Sequence, residues 1–256
     1  RRAILLVDGR YVEAARAAVR HCEVRLFTNV DKDMEKLWRE LTPARMGFEG
    51  AIPWNVVQRM GRLWPQAAWE EAGGLLEQLR QIKSAYEVRC IQASARLNDQ
   101  LYERALVAAA RPGATEQDVS NTILALAGPL GAQGLSFESI VAGGAASSQP
   151  HYHPQPKPLA GGELLLIDMG VIVEDYCSDM TRVAGLEPGR VPARLRRVYE
   201  AVLQAQTAAL EAVAPGVACA ELDAIARQSL KKNRLAQYFT HGLGHGVGLD
   251  IHRSEE

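Results

Sequence analysis

Residues 164–182 read LLLIDMGVIVEDYCSDMTR, and this stretch decides how the larger part of the chain is built. Two strand-like runs flank Glu174-Asp175, the pattern of antiparallel strands joined by a tight turn. Asp168 falls in the first run and Asp179 in the second, an odd separation. Across a two-residue loop, such a pair stands either directly opposite or on the same-face diagonal, with Cβ atoms about 4.5–8 Å apart. Both carboxylates then look to one side. Carboxylates that close repel, and one must keep its proton unless a cation lies between them. Divalent ions about 3.5–4 Å apart, sharing an aspartate, relieve that repulsion. Aspartates also cap turns or sit on surfaces, but Asp168 follows four apolar residues at the end of a strand expected to be buried. An unpaired carboxylate is costly there.

A second stretch, THGLGHGVGLDIH over residues 240–252, carries His241, His245 and His252 among glycines 242, 244, 246 and 248. Glycine at every other position weakens a helix and permits close approach of a backbone or ligand, so the spacing predicts an irregular strand with His241 and His245 on one face. Neutral imidazole is the commonest nitrogen ligand for divalent metal, and one histidine with two aspartates gives the mixed shell that Mn²⁺, Co²⁺ or Zn²⁺ accepts. His151 and His153, in the proline-flanked loop SSQPHYHPQP, could line a pocket or simply be solvated.

Working outward, the chain opens with an apolar run, Ala3 to Val7, broken at Asp8-Gly9 and followed by an alanine-rich helical stretch from Tyr11 to Val19. A short strand near residues 24–27 and a segment holding Trp38, Trp54, Trp64 and Trp69 complete a small α/β domain over residues 1–80. From Gln81 the pattern changes. Tyr86, Cys90, Leu97, Leu101, Ala105 and Ala108 recur at helical steps, Pro112-Gly113 stops that helix, and Thr115 with Asp118 forms a capping box for a helix bearing Val119, Ile123 and Leu126. The same order returns about a hundred residues later: a helix from about Val191 to Ala212, a Pro215-Gly216 stop, and a helix bearing Leu222, Ile225 and Leu230. Strand-like, glycine-bearing stretches ending in histidines follow each copy. Two such halves facing each other would enclose a cleft.

The 29 basic and 30 acidic residues nearly cancel, which argues against nucleic acid or an anionic membrane as partner and for a small-molecule or peptide substrate. Cys22, Cys90, Cys177 and Cys219 lie too far apart for a zinc knuckle or a disulfide framework, as expected for reduced thiols in the cytoplasm. No apolar run approaches the roughly 20 residues that span a bilayer, and no signal-peptide pattern opens the chain.

Together, IDMG at 167–170, SDMTR at 178–182 and HGLGHGVGLDIH resemble the metallopeptidases that include methionine aminopeptidase, aminopeptidase P and prolidase. KSAYE at 83–87, RPGATE at 111–116 and SFESIVAGG at 136–144 are most similar to the Xaa-Pro branch. The resemblance implies an α/β (α+β) chain with a pita-bread catalytic domain over 81–256 behind a creatinase-like domain over 1–80, and hydrolysis of the bond before proline. It implies two divalent ions, Mn²⁺ foremost, bound by Asp168, Asp179 and His245, with Asp179 bridging. It places His151 beside the substrate in proton transfer, puts His241 and His252 in contact with substrate, and adds homodimerisation. The family pattern runs on to two more metal-binding glutamates, which are not matched before Glu256, and the start falls inside the small domain, so both ends are expected to be incomplete. Arg253-Ser254-Glu255-Glu256 follows His252 where the family has Glu and then Pro, a difference at the edge of the proline pocket. The alternatives are a peptide- or protein-binding module of the same fold and a metal-free creatinase-like hydrolase.

Overall fold

Local signals place most elements of the chain, whose computed structural model describes residues 2–251. The described residues fall into two units that meet at Ile82 and Lys83. In the first, β1 (Ile4–Val7), α1 (Val12–Ala18), β2 (Glu23–Leu26), α2 (Val30–Leu41), β3 (Arg45–Phe48), α3 (Trp54–Leu63), β4 (Ala68–Glu71) and α4 (Leu75–Gln81) alternate. Each strand pair, β1 with β2 and β3 with β4, is parallel, as strands joined through a helix must be. Three of the tryptophans form its centre: Trp64, almost fully buried, stacks between Trp38 and Trp69 with ring centroids 5.2 and 5.7 Å away.

The second unit begins with α5 (Ala85–Ala109), whose first turn is closed by Ser84 and Glu87 in a reciprocal capping box. Thr115 and Asp118 form another at the start of α6 (Glu116–Ala127). The strands follow: β5 (Gly134–Leu135), β6 (Ile140–Gly143), β7 (Leu164–Met169), β8 (Val171–Val173), β9 (Tyr176–Cys177) and β10 (Met180–Gly185). They form two three-stranded sheets, ordered β10-β7-β6 and β5-β8-β9. Then α7 (Ala193–Glu211) and α8 (Cys219–Lys232) repeat the helix pair, as the internal repeat predicts. Among the described residues no strand follows this second pair. Residues 239–251 run as bends and irregular backbone with a single β-bridge residue at Gly246, rather than the irregular strand expected of them; one bridge does not make a strand.

The helices α5 and α6 cover one face of the sheets. Leu101, Ala105 and Ala108 from α5, with Val119, Ile123 and Ala127 from α6, close on Val141, Leu165, Ile167, Met169 and Val171. Along β7 the side chains alternate, so Leu165, Ile167 and Met169 are buried while Leu164, Leu166 and Asp168 are half-buried on the opposite face. Asp168 therefore stands in a row with Ile140 and Thr181, its partners on the two flanking strands.

The hairpin predicted from 164–182 is present, and it crosses from one sheet into the other. Pairing of Asp168 with Thr181 in β7 and β10, and of Val173 with Tyr176 in β8 and β9, shows one register throughout. Its two-residue turn, Glu174-Asp175, has φ of 49° and 67°, the left-handed pair of a type I′ turn, which matches the strand twist. Side chains hold these two non-glycine residues there: Tyr86 Oη donates to Glu174 over 3.0 Å, and Asp175 N donates to Gln133 over 2.7 Å. At the crossover, Gly170 leaves no room for a side chain. A Cβ there would lie 2.0 Å from the Ser178 carbonyl oxygen and 2.9 Å from Phe137. The carbonyls on either side are satisfied from α5, with Asn98 Nδ2 donating to Met169 O at 2.9 Å and Ser94 Oγ to Val171 O at 2.6 Å.

Gly170→Ala is expected to lower stability by about 3 kcal/mol or more, because backbone and not a flexible side chain would have to move. Gly128→Ala, where nothing lies within 4 Å of the added Cβ, should stay within about 1 kcal/mol of the parent. Urea unfolding of the two variants checks the contrast; equal losses would contradict it.

Candidate metal centre

Asp179 leads directly into β10, two residues before Thr181, the cross-strand partner of Asp168. Of the two arrangements open from the sequence, the register selects the diagonal, which sets the two Cβ atoms about 7–8 Å apart on one face. Asp168 Oδ1 accepts a hydrogen bond from Thr181 Oγ1 at 2.7 Å. Asp179 instead meets a histidine: its Oδ2 lies 3.1 Å from His245 Nε2, with both side chains about a quarter exposed.

That meeting is arranged through the backbone. Cys177 N donates to Gly248 O at 2.7 Å, pinning the glycine-laced segment alongside the end of β9. Asp179 lies two residues beyond Cys177 and His245 three before Gly248, so one hydrogen bond brings both to the same place. Burial pushes the Cys177 thiol up, leaving it a protonated packing group rather than a thiolate.

The ring nitrogens of His245 are distinguishable by what they face. Its Nδ1 lies 3.1 Å from Gly246 O, which can only accept, so Nδ1 carries the hydrogen. Nε2 then points either a second proton or a lone pair at the Asp179 carboxylate. A lone pair facing a carboxylate is closed only by a cation. One imidazole nitrogen and one carboxylate oxygen meeting at 3.1 Å are the kinds of donor that Mn²⁺, Co²⁺ or Zn²⁺ accepts. The donor set therefore suits a divalent ion. Among the described residues no three His, Cys, Asp or Glu side chains converge tightly enough to hold a metal by themselves, and Asp168 stands one diagonal away.

The other expected residues are spread out. His241 is exposed, packs edge-on to Phe239 at 4.8 Å and has Nδ1 2.7 Å from Gly242 O. His151 is exposed in a turn just beyond the short 3-10 helix Gly144–Ser148, and exposed His153 lies 3.5 Å from Glu138. His252 lies outside the described residues.

Several contributors carry no signal that a reading of the sequence would single out. Glu116 is fully buried, and its carboxylate accepts from Gly143 N at 2.8 Å, Tyr152 Oη at 2.8 Å and Gln155 N at 3.1 Å. It thereby ties both ends of the loop that carries His151. The bond to Glu116 holds the Tyr152 phenol above its ordinary range. Thr181, bonded to Asp168, and Asp223 and Arg227, bonded to the backbone of residues 239–243, are likewise disclosed only by their positions in the fold.

Comparison with known proteins follows the same division of the chain. Residues 89–256 match the model of metallopeptidase family M24, and residues 1–82 that of the creatinase/prolidase N-terminal domain. The Xaa-Pro dipeptidase of Pyrococcus horikoshii is 30% identical over 222 residues, which is 86% of this chain and 62% of that protein. Among solved structures, the Xaa-Pro dipeptidase from Bacillus anthracis superposes with a TM-score of 0.93 at 30% identity, over 99% of this chain and 71% of that one. The X-Pro aminopeptidase from Thermotoga maritima gives 0.86 at 27% identity, over 98% and 71%. The chain spans about half to three fifths of the length of the curated relatives it matches.

Glu116→Ala would leave the buried Gly143 N without its acceptor and free the less buried Tyr152 Oη and Gln155 N from theirs, and a loss of roughly 1–3 kcal/mol is expected. Limited proteolysis of residues 144–155, read beside thermal unfolding, checks it. Unchanged cleavage and unchanged unfolding would show that the carboxylate does not hold the loop.

Proposed function

This chain belongs to metallopeptidase family M24 and has its pita-bread fold behind a creatinase/prolidase N-terminal domain, and we propose that the protein hydrolyses the peptide bond preceding proline with two divalent metal ions. The substrate class is an Xaa-Pro dipeptide or a longer peptide with proline second. The observation that carries the reading is the meeting of His245 Nε2 with Asp179 Oδ2 at 3.1 Å, an imidazole brought against a carboxylate of the hairpin that also presents Asp168.

In this proposal Asp168, Asp179 and His245 hold the ions, with Asp179 between them. When bound, the ions, Mn²⁺ by preference and Co²⁺ or Zn²⁺ otherwise, supply a water of lowered pKa and polarise the scissile carbonyl. The chain's own groups do the rest. Gly246 O fixes the tautomer of His245, keeping the Nε2 lone pair directed at the centre. The Thr181 hydroxyl orients the Asp168 carboxylate. His241, with Nδ1 engaged by Gly242 O, has Nε2 left to contact the substrate, and His252 is assigned the same duty. His151 is assigned the proton that the departing proline nitrogen requires. Proline's nitrogen has no hydrogen in the bond to be cut, so selection rests on the shape of an apolar subsite rather than on a grip on N–H.

Among the described residues no helix is long and apolar enough to cross a membrane. The four cysteines are free, which supports the cytoplasm as the compartment. The homodimer implied by the family resemblance belongs to the same proposal.

The test uses protein stripped with chelator and titrated with Mn²⁺ while cleavage of an Xaa-Pro dipeptide and an Xaa-Pro-Xaa peptide is followed. Mn²⁺ is expected to restore turnover. Asp179→Asn and His245→Ala should each lower kcat/KM by at least about 100-fold, about 2.7 kcal/mol of transition-state stabilisation. Turnover that survives chelation would favour a creatinase-like hydrolase, and neither metal uptake nor turnover would favour a binding module. The ratio of rates on the two peptides separates dipeptidase from aminopeptidase.

A further inference from the structure

The segment that delivers His245 has little to hold it in place. Gly242, Gly244 and Gly246 are exposed, and a Cβ added at any of them would meet nothing within 4 Å. Crowding does not require glycine there, while each glycine raises the conformational entropy lost on ordering. The described residues of this segment form no strand, only a single β-bridge residue at Gly246. On the far side of His245 the bond from Cys177 N to Gly248 O is one anchor. The near side has another.

That second anchor comes from one pair of side chains on α8. Arg227 donates from Nη1 to Phe239 O at 2.7 Å and from Nη2 to His241 O at 2.6 Å, with its guanidinium 4.5 Å above the centre of the Phe239 ring. Asp223 accepts from Leu243 N at 3.1 Å through Oδ1. The two are joined to each other, Arg227 Nε to Asp223 Oδ2 at 2.6 Å and Nη2 to Oδ1 at 3.2 Å. The Arg227 bonds hold the Asp223 carboxyl below its usual range, so it is an acceptor at neutral pH. Three consecutive odd-numbered residues, 239, 241 and 243, are thus fastened by one ion pair, leaving His245 two residues from the fastening and three from the Gly248 anchor.

An ion pair four residues apart on a helix and open in part to solvent, as this one is, contributes little to stability by itself. Here its groups are spent on another segment's backbone, which lysine's single ammonium could not serve in the same way. We propose that Asp223 and Arg227 are positioning residues: they clasp the glycine-laced segment so that His245 meets Asp179. The consequence for metal and catalysis rests on the peptidase reading above; the clasp itself does not.

The test compares the full-length protein with Arg227→Lys and with the swapped pair Asp223→Arg/Arg227→Asp. The swap keeps an ion pair on α8 but moves every donor and acceptor away from residues 239–243. Amide hydrogen exchange over 239–248 reads the clasp without metal. Mn²⁺ titration by calorimetry reads the centre, and kcat and KM read the reaction. Expected are exchange faster by about 10-fold or more in both variants, Mn²⁺ affinity weakened by roughly 10–100-fold as for other outer partners of metal ligands, and a fall in kcat larger than any rise in KM. The swap should rescue none of these. Parent-like exchange and Mn²⁺ affinity in Arg227→Lys would overturn the proposal, as would full rescue by the swap, which would leave the pair a helix-stabilising feature only. If the parent protein itself takes up no Mn²⁺ and cleaves nothing, the peptidase reading fails, and exchange alone decides for or against the clasp.

Discussion

No side chain fits at residue 170, and much of the second unit depends on that exclusion. The carbonyl of Ser178 occupies the place a Cβ would need, only 2.0 Å from it. The close approach lets a single hairpin leave the β10-β7-β6 sheet and enter β5-β8-β9 without losing register. Asp179 is directly across from this crossing, where the strand has given up the ladder of one sheet and not yet joined the other. A residue in the middle of a ladder has its backbone committed on both sides and its side chain fixed perpendicular to the sheet. At the crossing Asp179 has the latitude to turn toward a distant segment, while Asp168, inside β7, is fixed by its partners Ile140 and Thr181.

The polar groups buried around the crossing follow from the same geometry. Around the crossing, backbone donors reach Val171 O from Ser178 N at 2.9 Å and Gly170 O from Ser136 N at 2.9 Å, and side chains fill the remaining acceptor capacity of the buried carbonyls. Ser94 and Asn98, four residues apart on α5 and therefore on one face, supply donors to Val171 O and Met169 O. Ser136 and Ser178 add theirs to Val171 O. This explains why a helix whose buried stripe is otherwise alanine, leucine and cysteine carries fully buried serine and asparagine.

What could be read from the residues alone divides along the range of the interaction. The Glu174-Asp175 turn, the Thr115–Asp118 capping box and the two helix pairs with their Pro-Gly stops are local, and each was legible because its causes lie within a few residues. The face shared by Asp168 and Asp179 was legible from parity, but the choice of diagonal over direct opposition needed the register. The helical stripe of α5 shows only its apolar members in the sequence, because the partners of Ser94 and Asn98 are more than 70 residues away. The segment after residue 239 was expected to be an irregular strand, although alternation indicates which faces a strand would have and not whether a neighbour exists to make it one. Asp223 and Arg227, spaced as an ordinary helix-surface ion pair, gave no hint that their hydrogen bonds reach residues 239–243.

The arrangement at Asp179 and His245 has a chemical logic that composition alone would not suggest. One donor comes from a rigid, cross-braced hairpin and the other from a stretch in which glycine alternates with other residues. A preorganised centre needs both donors held, since a side chain free to wander loses entropy on binding an ion and misdirects its lone pair. The hairpin side meets that need by the register of its flanking strands. On the glycine side Gly242, Gly244 and Gly246 are exposed. Order there must come from discrete hydrogen bonds, and the structure supplies them at each flank, to Gly248 from β9 and to residues 239–243 from α8. Gly242, Gly244, Gly246 and Gly248 all keep a negative or extended φ, and no neighbour crowds a Cβ at the first three, so it is the two flanking anchors, rather than any conformation reserved for glycine, that set His245 against Asp179.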